Sequence, residues 1–363
     1  MTRPTTRCLL AAAALTLGAT PALAQPEALE NEIITATQMN ASARAAVDAY
    51  TEGWAQLLRS RDNAERESAR RALLVPLHGE PTPAFRIQYG SRLKNELTRF
   101  AAGDESQALF AAELAGRLAT VDAHAVVLEL LDAPRPAIRY AAARAARLQL
   151  EAIDNPPAAL NDQHRSELIE ALGARIAVEQ DAVALDGLLT AASDAVERDS
   201  DHADAILERH SAALAENLQG GTLESDIVPG ARAVLRAVAA VQQRYRNQNR
   251  LPSDLAREGG LLAGSAMGYV LDAIENDAAA GSDASAAALE QLVKAAHSLA
   301  FFATRASGVS IVADEGIPDA FARWRQSGDP RALRTEIETW IGPGGVITRP
   351  PFNADPADFP GLN

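Results

Sequence analysis

Residues Val126 to Leu150 read VVLELLDAPRPAIRYAAARAARLQL, and this stretch decides the fold. It contains two apolar patterns of helical period. The first uses Val126, Val127, Leu130 and Leu131; the second uses Ile138, Ala141, Ala142, Ala145, Ala146 and Leu148. Recurrence in steps of three and four puts such residues on one helix face. Asp132, Pro134 and Pro136 interrupt the chain between the patterns. Proline is tolerated at the start of the second helix because the first N–H groups there have no intrahelical acceptor. The unit is a helical hairpin with an alanine-rich second arm.

A Leu-Leu-Asp helix end, a proline-bearing turn, then Arg139 and an alanine-rich helix together resemble a HEAT repeat. The resemblance implies an all-α fold in which helix pairs stack into an α-solenoid, an architecture that presents binding surfaces more often than catalytic centres. It also implies a structural role for Arg139, paired with Asp132 or with the equivalent acid of a neighbouring repeat. Leu130, Leu131, Ile138, Ala142 and Leu148 are expected to be buried between stacked helices. A second, looser copy runs from Trp54 to Leu74, WAQLLRSRDNAERESARRALL. Leu57-Leu58 matches Leu130-Leu131, and Arg66 to Leu73 matches the second helix, but the turn has Asp62 and no proline. Ala101 to Thr120 supplies a helix between the two copies. The resemblance covers about residues 45–150. One such hairpin cannot bury its apolar face alone, so neighbours must stack.

Almost everything from Glu30 to Ile341 reads as helix, because Ala, Leu, Arg and Glu dominate. The expected helices are about 31–60, 64–75, 83–102, 105–119, 122–132, 136–150, 161–178, 180–197, 202–218, 228–246, 253–277, 283–306, 317–327 and 330–341. Thr82-Pro83, Asp104 with Gln107, Asp122 and Asp329-Pro330 serve as start signals. Gly103, Gly173, Gly220-Gly221 and Gly342 serve as stops. Val309–Val312 and Val346–Thr348 are the strand candidates.

The division expected is a leader over 1–24, a HEAT-like domain over 25–150, a linker over 151–160 marked by Pro156-Pro157, and a second helical region over 161–341. Residues 342–363, rich in proline and glycine, form an extended tail. Phe352 and Phe359 are large apolar groups for such a segment, so the tail is expected to lie along the helical body with one or both phenylalanines inserted between helices; docking onto a partner protein is the alternative, and a plain disordered terminus is the third reading.

The leader has the pattern of a signal peptide. Arg3 and Arg7 precede an apolar run from Leu9 to Leu17, and Ala22-Leu23-Ala24 forms an A-x-A cleavage site. A run of about nine residues is too short to span a bilayer. Cleavage after Ala24 and a periplasmic or secreted location in a bacterium are expected. Cys8, the only cysteine, lies in the leader. The mature chain then has no disulfide, thiolate nucleophile or zinc–thiolate site. The net charge of −14 disfavours nucleic acid and anionic lipid as partners. Lys94 and Lys294 are the only lysines, so arginine carries nearly all the positive charge.

No motif demands catalysis, a cofactor or a metal, and no residue is assigned to such a role. Ser91 and Lys94 have S-x-x-K spacing, but the companion motifs of serine acyl-enzymes are absent. Asp194, Glu197, Asp199, Asp201, His202, Asp204 and Glu208 form an acidic run, yet Ala203 interrupts any EF-hand order. His78, His124, His164, His202, His210 and His297 never make an H-E-x-x-H. Ala263 to Gly268 (AGSAMG) is not a nucleophile elbow and suits close helix packing. Trp54, Trp324 and Trp340 lie in helical patterns as core residues. The function expected is a non-catalytic protein-interaction or scaffolding module whose partner is a protein. A helical hydrolase or lyase acting on cell-envelope polymer is the first rival. A small-ligand carrier using Phe301, Phe302 and Tyr269 is the second.

Overall fold

The computed structural model describes residues 25–199, 201–220, 223, 227–276, 280, 282–309 and 316–362. The leader expected over 1–24, Gly221 and most of the Val309–Val312 strand candidate fall outside these residues. The regular structure described is all helical, and no strand occurs among the described residues. Val346–Thr348, the other strand candidate, lies in bends and turns.

The helices, in chain order, are α1 (Asn31–Ile34), α2 (Ala41–Leu58), α3 (Asn63–Leu74), α4 (Pro83–Ala101), α5 (Glu105–Leu118), α6 (Val121–Leu131), α7 (Pro136–Asp154) and α8 (Asp162–Ile176). They continue with α9 (Ala182–Arg198), α10 (Ala203–Gln219), α11 (Ile227–Gln248), α12 (Ser253–Asn276), α13 (Asp283–Ala306), α14 (Gly316–Ser327) and α15 (Arg331–Ile341). None of them is long and apolar enough to cross a membrane, among the described residues.

Local chemistry explains most boundaries. Thr82 accepts from the Phe85 amide ahead of Pro83, and Asp104 with Gln107 closes a reciprocal capping box. Four expectations need correction. The helix expected over 31–60 is two helices, because Asn40 caps a new start by accepting from the Ala43 amide. Thr82 holds the turn before it, bonding the carbonyls of Ile34 and Ala36. Asp122 is not a cap: Thr120 precedes α6, and Asp122 instead pairs with Lys94 at 2.7 Å. Gly173 does not end α8. It lies inside the helix, where its missing side chain makes room for Arg209 and His210 of α10. Finally, α7 continues four residues past Leu150, to Asp154.

Packing follows a next-but-one rule. In one row, α2, α4, α6, α8, α10 and α12 each touch the following member; in the other, α3, α5, α7, α9, α11 and α13 do the same. Small residues bring the second row close. A side chain at Gly116 of α5 would fall 2.7 Å from the Ala145 Cα of α7. Leu130, Leu131, Ile138 and Ala142 are buried as expected, whereas Leu148 is only half-buried. Packing crosses 151–160 without a break: α9 lies on α7, and one apolar cluster extends from Val47 to Phe359.

The C-terminal segment after α15 is folded onto the body. The Val346 and Ile347 amides donate to the carbonyls of Thr339 and Trp340. Phe352 and Phe359 are buried to 1% and 0% exposure. Gly260, Gly264 and Gly268 form a groove along α12 in which Phe352, Phe359 and Pro360 sit in turn. Arg334 secures the end, pairing with Glu275 and donating to the Gly361 carbonyl at 2.9 Å. The Ala263–Gly268 stripe therefore admits the tail, rather than only a second helix.

Candidate functional site

Arg139 sits in the first turn of α7 and reaches Glu179, in the turn between α8 and α9. Its Nε and one terminal nitrogen donate to the two carboxylate oxygens at 2.5 and 2.6 Å. The other terminal nitrogen donates to the carbonyls of Ala133 and Pro134. Two consecutive hairpins are thus tied turn to turn. The partner is the acid of the following hairpin, not Asp132. Burial pushes the Glu179 carboxyl up. The bond from Arg139, the Asp181 amide, and the charges of Arg139 and Arg175 outweigh that and hold it below the ordinary carboxylate range. Arg139 is fully engaged and makes no contact suited to a substrate.

A groove of about 820 Å³ opens over the neighbouring surface of α5, α7 and α9. Its shape follows from side-chain size. Ala137, Ala141 and Ala145 give α7 a low stripe, while Leu109 on α5 and Val183 on α9 rise beside it. Tyr140 lies against α9, its ring over Gly187, where any side chain would collide with it. Tyr140 and Val183 are 37% and 54% exposed, so the apolar lining faces solvent. Two rim pairs are internally neutralised: Arg135 with Glu105 at 2.9 Å and Arg117 with Glu113 at 3.3 Å. Asp181 is occupied as a cap for the Val183 and Ala184 amides. Arg144, exposed one turn beyond Tyr140, has no hydrogen bond or ion pair among the described residues.

Of the residues singled out from sequence, the structure brings together Asp199 with His202 and His124 with His164. Ser91 donates to the Gln88 carbonyl, while Lys94 turns to Asp122, so no Ser–Lys dyad forms. The acidic run is dispersed among arginines: Asp194 meets Arg147 at 2.5 Å and Asp204 meets Arg244 at 2.6 Å. Asp199 lies between His202 and Arg165. No group of three His, Cys, Asp or Glu is placed to hold a metal ion among the described residues. Trp54, Trp324 and Trp340 are buried. Phe302 stacks on Tyr245 at 4.5 Å with Phe301 beside it, whereas Tyr269 is buried against Gly230, so the three do not line one pocket.

Two histidines are interior. His210 is fully enclosed, and burial pushes its pKa down to about 4, so the ring is neutral. His124 is buried at the junction of α6, α7 and α8, its ring nitrogens 3.1 Å from Gln149 and 2.9 Å from Glu167. His164 meets it edge-on at 5.0 Å and is itself the second half of a capping box with Asn161. Sequence reasoning missed this cluster because its members are separated by up to 43 positions. Comparison with family models, curated proteins and solved structures yields no match for this chain.

Proposed function

We propose that the protein is an exported, non-catalytic protein-interaction module built as a HEAT-like α-solenoid. The observation that carries this reading is the solvent-facing apolar groove laid across three successive helices of one row. Next-but-one packing supports the solenoid, since it is what stacked hairpins require. The turn-to-turn Arg139–Glu179 pair supports a repeat, because it links equivalent points of consecutive hairpins. The Arg3, Leu9–Leu17 and Ala22–Ala24 pattern supports export, with cleavage after Ala24 into the periplasm or beyond. Fold-level analogy alone names no partner.

The test is affinity purification of the mature protein, chemically crosslinked in its own envelope fraction, followed by size exclusion. A single protein co-eluting in fixed ratio is the expected result. The reading fails if the protein elutes alone while releasing soluble fragments from purified envelope polymer. That outcome would favour a helical hydrolase or lyase.

A further inference from the structure

Resting on the reading just given, we infer that the α5–α7–α9 groove receives an amphipathic helix from a partner protein, apolar on its entering face and carrying one Asp or Glu opposite Arg144. Dimensions, local charge and overall charge each limit the occupant.

The groove lining on α7 from Ala137 to Leu148 covers eleven steps, which is about 17 Å at the helical rise. Three turns of a partner helix have that length, and spaced apolar anchors are how such a helix enters a groove. Leu109, Glu113 and Arg117 on α5 and Val183 on α9 wall the stripe, and alanines on its floor admit the guest's larger residues. The lining is thus complementary to leucine-sized groups rather than to another alanine face.

Local charge then sets the guest's polar residue. The carboxylates of Glu105 and Glu113 already hold Arg135 and Arg117, and Asp181 holds two backbone amides. Arg144, one helical turn along α7 from Tyr140, is the groove cation without a carboxylate partner among the described residues. A guest carboxylate can accept from Arg144, and charge-assisted bonds are the stronger kind. A guest lysine would face an unpaired arginine. Overall charge decides against a second copy. At −14 per chain, two copies repel at long range, and so does a strongly acidic partner. The host therefore favours a neutral or basic protein presenting a local acid. The C-terminal tail is not the occupant, since Phe352 and Phe359 are already seated on α12.

The experiment uses the full mature chain and a displayed library of helical peptides of about 14 residues, long enough for three turns plus ends. Wild type is the bait, with Ala141→Glu and Val183→Glu as counter-baits. Two positions are used so that a folding defect in one, seen by circular dichroism, leaves the other. Peptides with apolar residues at i, i+4 and i+7 and a fixed acid should be enriched on wild type and lost on both variants. Arg144→Gln should weaken the acidic peptides by about threefold to tenfold, and leave their Gln counterparts unchanged. Arg144→Glu should redirect selection to basic peptides. Equal enrichment on wild type and counter-baits would overturn the proposal, as would indifference to the charge at 144. Self-association abolished by Ala141→Glu would assign the groove to a second copy and also overturn it. If the envelope partner is captured equally by wild type and Ala141→Glu, the interaction reading stands and this groove assignment falls. If no partner is captured at all, the interaction reading falls, and the peptide selection still decides the groove.

Discussion

The seating of Phe352 on Gly260 predicts a reversal of sign. The Phe352 ring is 1% exposed, and the three atoms nearest to a side chain built at Gly260 all belong to that ring. Removing the ring by Phe352→Ala forfeits its transfer energy and leaves a cavity, a loss of about 3–5 kcal/mol. Adding a methyl group by Gly260→Ala in the intact chain overpacks the same spot, costing about 1–3 kcal/mol. In the Phe352→Ala background that clash is gone. What remains is the helical preference of alanine over glycine, worth about 0.8–1 kcal/mol in favour of folding. Gly260→Ala should therefore destabilise the wild type and stabilise the Phe352→Ala protein. The coupling between the sites should amount to about 2–4 kcal/mol, the sum of those two effects. Urea unfolding followed by circular dichroism at constant pH gives all four values. A Gly260→Ala change that is neutral or stabilising in the intact chain would refute the docking of the tail. So would a Phe352→Ala loss below about 1 kcal/mol, the range of ordinary surface sites.

Other consequences are as direct. Arg139→Ala leaves the buried Glu179 with only Arg175 and the Asp181 amide, so unfolding free energy should fall by about 2–3 kcal/mol, at or below the low end for a wholly unpaired buried charge; urea titration checks it, and a loss below about 1 kcal/mol would make the pair incidental. His210 is neutral when folded, with its pKa moved from 6.5 to about 4. The unfolded chain takes up that proton first, so this site's stability is constant above pH 6.5 and is lost progressively as pH falls towards 4. The full loss is ~3 kcal/mol at most. Unfolding curves for wild type and His210→Gln across that window should differ in slope, and parallel profiles would contradict the assignment. Leu131→Ala, at a 1% exposed position, should cost about 2–5 kcal/mol, read as a shift in the urea midpoint.

Much of this architecture could be read from the chain because its cues are local. Pro136 after a Leu-Leu-Asp end marks the α6–α7 turn, and Asp104 with Gln107 marks the start of α5. Phe352 and Phe359 in a proline-rich segment point to docking, since a free tail gains nothing from buried rings. The misreadings also have local causes. Asn40 is a cap as good as aspartate, but it stands inside a stretch that reads as one helix, which hides the break. Gly173 looks like a stop, yet its smallness serves a contact with α10, made 36 or more residues away. The candidate site was less legible. Arg139 could be expected to find an acid, but Glu179 is 40 positions distant, and no spacing rule reaches that far. The groove was invisible, because a stripe of alanines on α7 becomes a depression only once α5 and α9 flank it. Leu148 shows the same limit: its period matches the core, while its place beside the groove leaves it half-buried.

If a partner docks as proposed, contact is confined to the row containing α5, α7 and α9. The most direct measurement places a photocrosslinking amino acid at Ala137 in the groove, and separately at Ala125, exposed on α6 in the other row. Each protein is irradiated in its own envelope fraction. One discrete crosslinked protein is expected from position 137 and none from position 125. Equal crosslinking from both positions, or from 125 alone, would contradict that expectation.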